Sequence, residues 1–260
     1  MKQTLCLLGL IAGVMTGCAK LDVEVQIPEG PSRLVVEGLL TPGYPAEVML
    51  TESNTLQDEL VLLAVWNARV SMDTDTGTIA TRNILYKKTD RRIMINYGSV
   101  DTMREGAHSY FKLNITTKDG RTLRAATKVV SPVRIKSVEL NKENIVTHHD
   151  LLGNEPRYLR MYAATYKQGK VAMSKSMLYQ QGPGTGTSCV MPLSNYQSGT
   201  DSITVTLFHI QKEYYDYLTS VENANSAFSD PLLNPEEIIS NITGGLGIFT
   251  YYTMDKVRAK

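Results

Sequence analysis

Five short stretches carry residue types that could do chemistry. Cys18 ends an apolar N-terminal run and follows the small residues Thr16 and Gly17. That pattern is a bacterial lipobox, in which the cysteine thiol is lipidated and the preceding peptide is removed. Asp73-Thr74-Asp75-Thr76-Gly77 offers carboxylates at the spacing that opens a calcium loop. Such a loop needs six or more oxygens and a distal Glu, and no Glu stands at the required spacing. A polar hairpin turn accounts better for the stretch. Asn241-Ile242-Thr243-Gly244-Gly245-Leu246-Gly247 is glycine-rich but lacks the Gly-Lys-Ser/Thr of a phosphate loop. Its glycines are expected to let a strand bend or another backbone approach closely.

His148-His149-Asp150 contains the adjacent histidines of the chain. Neighbours on a strand diverge in direction, and no His-Glu-x-x-His pattern is present, so a solvated loop is expected there and no metal site. His108 and His209 each fall in a predicted strand as packed polar residues. Cys189, in Ser188-Cys189-Val190-Met191, reads as a buried strand thiol, chemically inert. No Gly-x-Ser-x-Gly elbow occurs. The chain is therefore read as a non-enzyme, with no catalytic residue, no metal and no cofactor.

The elements around these residues are mostly strands. Residues 1–17 form a signal peptide: Lys2 supplies the positive start, and Leu5 to Val14 the apolar run. That run is too short to cross about 30 Å of hydrocarbon. Residues 18–32 read as a tether that ends in a Pro/Gly cluster. Of the three cysteines, Cys6 leaves with the signal and Cys18 takes the lipid, so Cys189 stands without a disulfide partner. Lys and Arg total 27 against 26 Asp and Glu. The signal contains Lys2 and no acid, so the remainder is neutral overall, and nucleic acid is not an expected partner.

Arg33 to Leu40, Ala46 to Thr51, Asn67 to Met72, Thr78 to Leu85, Arg92 to Asn96, His108 to Ile115 and Arg121 to Ala126 read as strands. Lys118-Asp119-Gly120 joins the last two as a hairpin. Short strands at this spacing argue a sandwich over residues 33–133. A second β series covers 134–260, with strands from Ile135, Tyr158, Val171 and Ser202 and a last one through Gly244–Tyr252. Tyr214, Tyr217, Leu218 and Val221 fall at helical spacing, which predicts one short helix near 211–225. The fold class expected is mainly β, with two Ig-like antiparallel β-sandwich domains.

Several of these stretches together resemble a known family. They are Arg33-Leu34-Val35-Val36-Glu37-Gly38, Val65-Trp66-Asn67-Ala68-Arg69-Val70, Glu105 to Leu113, Tyr214 to Leu218, and Ser240 to Phe249. The chain is similar to the Bacteroidota outer-membrane lipoproteins grouped as domain of unknown function 4249. The Asn-Ala-x-Val strand also resembles transthyretin-like sandwich modules. The family resemblance implies a surface-facing, lipid-anchored protein of the outer membrane that serves as accessory to a TonB-dependent barrel for nutrient uptake. It implies no reaction. The partners expected are the membrane, through the lipid on Cys18, and such a barrel. A free-standing protein that binds a glycan or peptide, or a structural component of envelope assembly, is the alternative. The expected contact surface is the helix and its loops, with Tyr214, Tyr215 and Tyr217. The same rings could instead pack the helix onto the sheet.

Overall fold

The computed structural model describes residues 32–53, 63–88, 93–141, 143–150, 153, 155–183, 186–192, 201–230, 234 and 236–259. The signal, Cys18 and nearly all of the tether lie outside the described residues, as does most of Pro231–Pro235. The strands are β1 (Leu34–Leu40), β2 (Pro45–Glu52), β3 (Leu63–Ala64), β4 (Arg69–Thr74), β5 (Gly77–Ala80), β6 (Arg82–Lys88), β7 (Ile93–Thr102) and β8 (Tyr110–Thr116). They continue as β9 (Thr122–Lys128), β10 (Ile135–Leu140), β11 (Asn144–His149), β12 (Arg157–Lys167), β13 (Lys170–Gln181), β14 (Ser188–Pro192), β15 (Ser202–Ile210) and β16 (Leu246–Ala259). One helix, α1, covers Lys212–Ser229.

The protein is mainly β, with three sheets and no barrel among the described residues. The largest sheet runs β13-β12-β15-β16-β1-β2-β7-β6, with β3 paired to β2. Smaller sheets run β5-β4-β8-β9 and β10-β11-β14. Alternation sets the faces. In β1, Leu34, Val36 and Leu40 are buried while Val35, Glu37 and Leu39 are partly exposed. Period-2 burial of this kind puts every second side chain into one core. The β8–β9 hairpin turns at Asp119-Gly120, where Gly120 takes φ 87°. Asp119 also accepts a hydrogen bond from the Thr117 hydroxyl.

Two interior cores lie between the sheets. Val36, Val48 and Phe249 from the large sheet meet Met72, Leu113 and Ile115 from the four-stranded sheet. Leu159, Val205 and Leu207 meet Ile145 and Met191 of the three-stranded sheet. Fully burying one such side chain stabilises the fold by about 1.5–3 kcal/mol. Membership passes from the first core at Val130 to the second at Val133. A third cluster lies where α1 covers the large sheet, against Ile210, Ile248 and Tyr252.

Strand β16 holds the large sheet together. Its first part runs parallel to β1, from Val35↔Leu246 to Leu40↔Tyr251. The rest runs antiparallel to β15, from Ile210↔Tyr252 to Ile203↔Ala259. Ile242, Phe249 and Tyr251, which fall within the expected second β series, thus pack in the first core. The glycines before β16 are close-approach residues. A Cβ on Gly245 would meet the Leu34 carbonyl oxygen at 2.7 Å, and one on Gly244 the Thr122 oxygen at 2.3 Å.

Four local expectations need correction. The strand expected over Thr78–Leu85 is broken at Thr81, whose amide and hydroxyl both bond to the Val70 carbonyl. That clamp lets β5 stay in the four-stranded sheet while β6 joins the large one. His148 and His149 are not in a solvated loop; they end β11, and His149 is fully buried. Its Nδ1 lies 2.8 Å from the Asp150 carbonyl and its Nε2 3.3 Å from Gln181 Nε2, and these contacts make burial tolerable. His108 precedes β8 rather than lying in it. Helix α1 begins one residue later than expected and runs four residues further.

Candidate functional site

Of the residues singled out from the sequence, Cys18 lies outside the described residues. Tyr214, Tyr215 and Tyr217 occupy the first turns of α1. Tyr214 is buried against the sheet and stacks on Tyr217 with ring centroids 6.3 Å apart. Tyr215 packs on Tyr158 at 5.2 Å. Burial pushes the Tyr217 hydroxyl above its ordinary pKa. All three rings join the cluster that fixes α1 to the large sheet.

Beside α1 the same sheet face is open. The register of β12, β15 and β16 lays its outward residues in rows. Tyr158–Ile210–Tyr252 is the row next to the helix. The next is Arg160–Phe208–Met254, then Tyr162–Thr206–Lys256, then Ala164–Thr204–Arg258, with Tyr166 beyond. Alternate residues of these strands, Leu159, Met161, Val205 and Leu207 among them, fill the second core, so period 2 dictates the outward set. Rows cross strands spaced about 4.8 Å apart.

Small side chains in the middle and large ones around them make a groove. Ala164, Thr204 and Thr206 form a low floor, each under 9% exposed. Tyr162, Tyr166, Phe208, Tyr252 and, from the β1–β2 turn, Tyr44 supply aromatic walls. The cavity beside Phe208 is about 700 Å³, and an adjoining one at Thr204 and Arg258 is about 500 Å³. These volumes suit a small ligand or a piece of a longer one.

Two of the groove's three cations are held in place. Arg160 donates through Nε to Ser176 Oγ at 2.7 Å and lies over the Phe208 ring, 5.9 Å from its centroid. Arg258 donates to Ser202 Oγ at 2.9 Å. Lys256 has no ion-pair partner among the described residues, and no carboxylate of those residues lines either cavity.

Other clusters have different chemistry. Ser109 Oγ donates to Asp75 Oδ2 at 2.7 Å, and His108 Nδ1 lies 3.4 Å from the other oxygen of the same carboxylate. The serine is thus bonded to the acid and not to the imidazole, which is not the arrangement that activates a hydroxyl. Asp73 and Asp75 spend their oxygens on Thr78, Asn114 and Ser109, as a hairpin turn requires. Among the described residues no three His, Cys, Asp or Glu side chains group as a metal site. Cys189 is buried, and burial pushes its thiol up to about 12.

The groove residues were not found from the sequence. A signal existed: Tyr158, Arg160, Tyr162 and Tyr166 recur at period 2, as do Tyr252, Met254, Lys256 and Arg258. What was missing was the pairing through β15 that joins the two series.

Fold and groove together define a multi-sheet β protein with an open, aromatic and basic recess on one sheet face. The chain belongs to the family described as Domain of unknown function (DUF4249), whose model matches residues 21–258. No curated protein matches it. Among solved structures it is similar to the crystal structure of a DUF4785 family protein from Legionella pneumophila subsp. pneumophila str. Philadelphia 1. The two are 14% identical, with a TM-score of 0.26, over 67% of this chain and 52% of that one. The chain therefore spans about half the length of that protein.

Proposed function

We propose that this protein is a lipid-anchored, outer-membrane binding protein that holds a glycan or peptide against the open face of its large sheet. The observation that carries the ligand reading is the groove: aromatic rings and cations set around Thr204 and Thr206. Rings displayed this way offer apolar contact area at low cost in side-chain freedom. The reading is one of binding without catalysis, and the Ser109–Asp75 pairing supports it. In finer architecture, residues 33–133 and 134–260 are read as two Ig-like, transthyretin-like sandwiches that share the large sheet, with Ile242, Phe249 and Tyr251 lent by the second to the core of the first.

The anchor is the lipid on Cys18, after removal of residues 1–17, with 18–32 as tether and the domain facing the cell surface. One acyl chain anchors only marginally, and several hold a domain on the bilayer stably. Tethering raises the effective concentration of a weak contact, so a TonB-dependent barrel beside the protein is the expected partner.

The test is calorimetric titration of the full chain, purified from membranes in mild detergent, with oligosaccharide and peptide panels. Saturable binding that is lost in Tyr162→Ala supports the reading. Binding that survives Tyr162→Ala and Phe208→Ala together, or no binding at all, overturns it. Fractionation beside a Cys18→Ala variant tests the anchor, and proteins recovered with the tagged chain test the barrel.

A further inference from the structure

We infer that the ligand of this groove is an acidic glycan, a chain of sugars bearing carboxylate or sulfate groups. The inference rests on the ligand-binding reading above and adds the chemical class. Three observations converge on it.

The first is charge. Arg160 lies on β12, with Lys256 and Arg258 on β16, so the cations flank β15 on both sides. Two strand spacings separate the flanks, about 10 Å. Along β16 the two cations stand two residues apart, about 7 Å. No carboxylate lines the recess among the described residues, so its lining carries charge of one sign. Yet the chain carries 27 Lys and Arg against 26 Asp and Glu. The positive recess is thus local, and it is no phosphate-tracking stripe of the kind that binds nucleic acid.

The second is the way the backbone is used. β12, β15 and β16 bond to one another throughout the groove, from Tyr158↔Ile210 to Tyr166↔Ser202 and from Ile210↔Tyr252 to Ile203↔Ala259. These three strands are interior to the sheet, whose outer strands are β13 and β6, so a ligand lying over them has no main-chain edge to extend, which is the usual route to peptide recognition. Recognition falls to side chains alone: ring faces, hydroxyls and cations.

The third is that those side chains suit sugars. The C–H face of a pyranose ring lies flat on an aromatic face, and Tyr162, Tyr166 and Phe208 line the recess. Thr204 and Thr206 line the cavities with them and bring hydroxyl groups that can pair with those of a sugar. Arg160, braced by Ser176 and Phe208, is preorganised for a planar carboxylate or a sulfate.

The experiment is calorimetric titration of the full chain in detergent with uronate, sulfated and neutral oligosaccharides of matched length, and with polyglutamate. The acidic glycans are expected to bind at least tenfold more tightly than neutral ones, and more weakly as salt rises. Lys256→Gln and Arg160→Gln should each weaken binding about tenfold. Neutral glycans binding equally well, with Lys256→Gln silent, would overturn the acidic class and leave the ligand-binding reading standing. Polyglutamate binding as tightly through the same side chains would overturn the glycan class. Failure of every oligosaccharide and peptide would remove both inference and reading. A near-ultraviolet circular dichroism spectrum unchanged in each variant keeps misfolding out of the comparison.

Discussion

A Cβ built on Gly247 would stand 1.9 Å from the carbonyl oxygen of Val36. Gly247 pairs with Val36 where β16 starts its parallel run along β1, and its φ is +110°. Contact and dihedral both demand glycine there. Gly247→Ala should therefore cost about 3 kcal/mol or more. Gly43 also has positive φ, +83°, but nothing lies within 4 Å of its virtual Cβ. Gly43→Ala should cost about 1 kcal/mol. Urea denaturation of the two variants checks the contrast, and equal losses would contradict it.

Tyrosines of α1 and of the groove should separate cleanly. Tyr214 is buried between α1 and the sheet, so Tyr214→Ala should lower stability by about 3–5 kcal/mol. Tyr162 is partly exposed, and Tyr162→Ala should change stability by about 1 kcal/mol or less while ligand binding is lost. Paired denaturation and titration curves decide.

Acid should weaken the fold in two stages. Burial lowers the pKa of His149 and His209 below the ordinary 6.5. In that case the unfolded chain takes up protons first, so stability is complete above about pH 6.5 and falls as pH drops through that value. Glu52 is held below its ordinary 4.5 by its hydrogen bonds from Arg121 and Ser32, and Asp75 below 3.8 by Ser109. Depressed carboxylates stabilise above their unfolded pKa, so a second loss follows below about pH 4.5. Denaturation midpoints at pH 7.5, 5.5 and 4 measure both. His149→Gln should flatten the first stage, and an unchanged slope there would contradict the assignment.

Cys189 should be silent until the chain unfolds. Its thiol is buried and held protonated, with a pKa near 12, so little thiolate exists at neutral pH. Iodoacetamide should label it in denaturant and not in buffer, as read by peptide mass mapping. Prompt labelling of the native protein would mean that the second core opens readily.

Much of the architecture was legible because strands announce themselves by period. Leu34 to Leu40 is a β-branched run that stops at Thr41-Pro42-Gly43, Tyr110 to Thr116 alternates, and Asp119-Gly120 marks its own turn. The helix was legible from Tyr214, Tyr217, Leu218 and Val221 at 3.6 spacing. β11 was not, because His148-His149-Asp150 looks polar, and burial there depends on Gln181 and on the Asp150 carbonyl, which spacing does not report. The break at Thr81 was hidden for the same reason, since its partner Val70 is on another strand. The groove was least legible of all. Arg160 and Lys256 are neighbours only through Thr206, Tyr162 and Phe208, and no local window contains them together. The tyrosines that stand close together in sequence, Tyr214, Tyr215 and Tyr217, pack on the sheet instead.

The double pairing of β16 bears on how such a chain is made. Phe249 and Tyr251 complete the interior that residues 34–50 begin, so the earliest-synthesised strands wait for the latest. Contacts of that sequence separation are slow to form, since a long loop must close before they stabilise anything. A chain emerging vectorially can close the second interior once Leu207 is out, but it cannot finish the first until Phe249 and Tyr251 have followed. Compaction of this chain is thereby a two-stage event, with the N-terminal strands the last to be sealed.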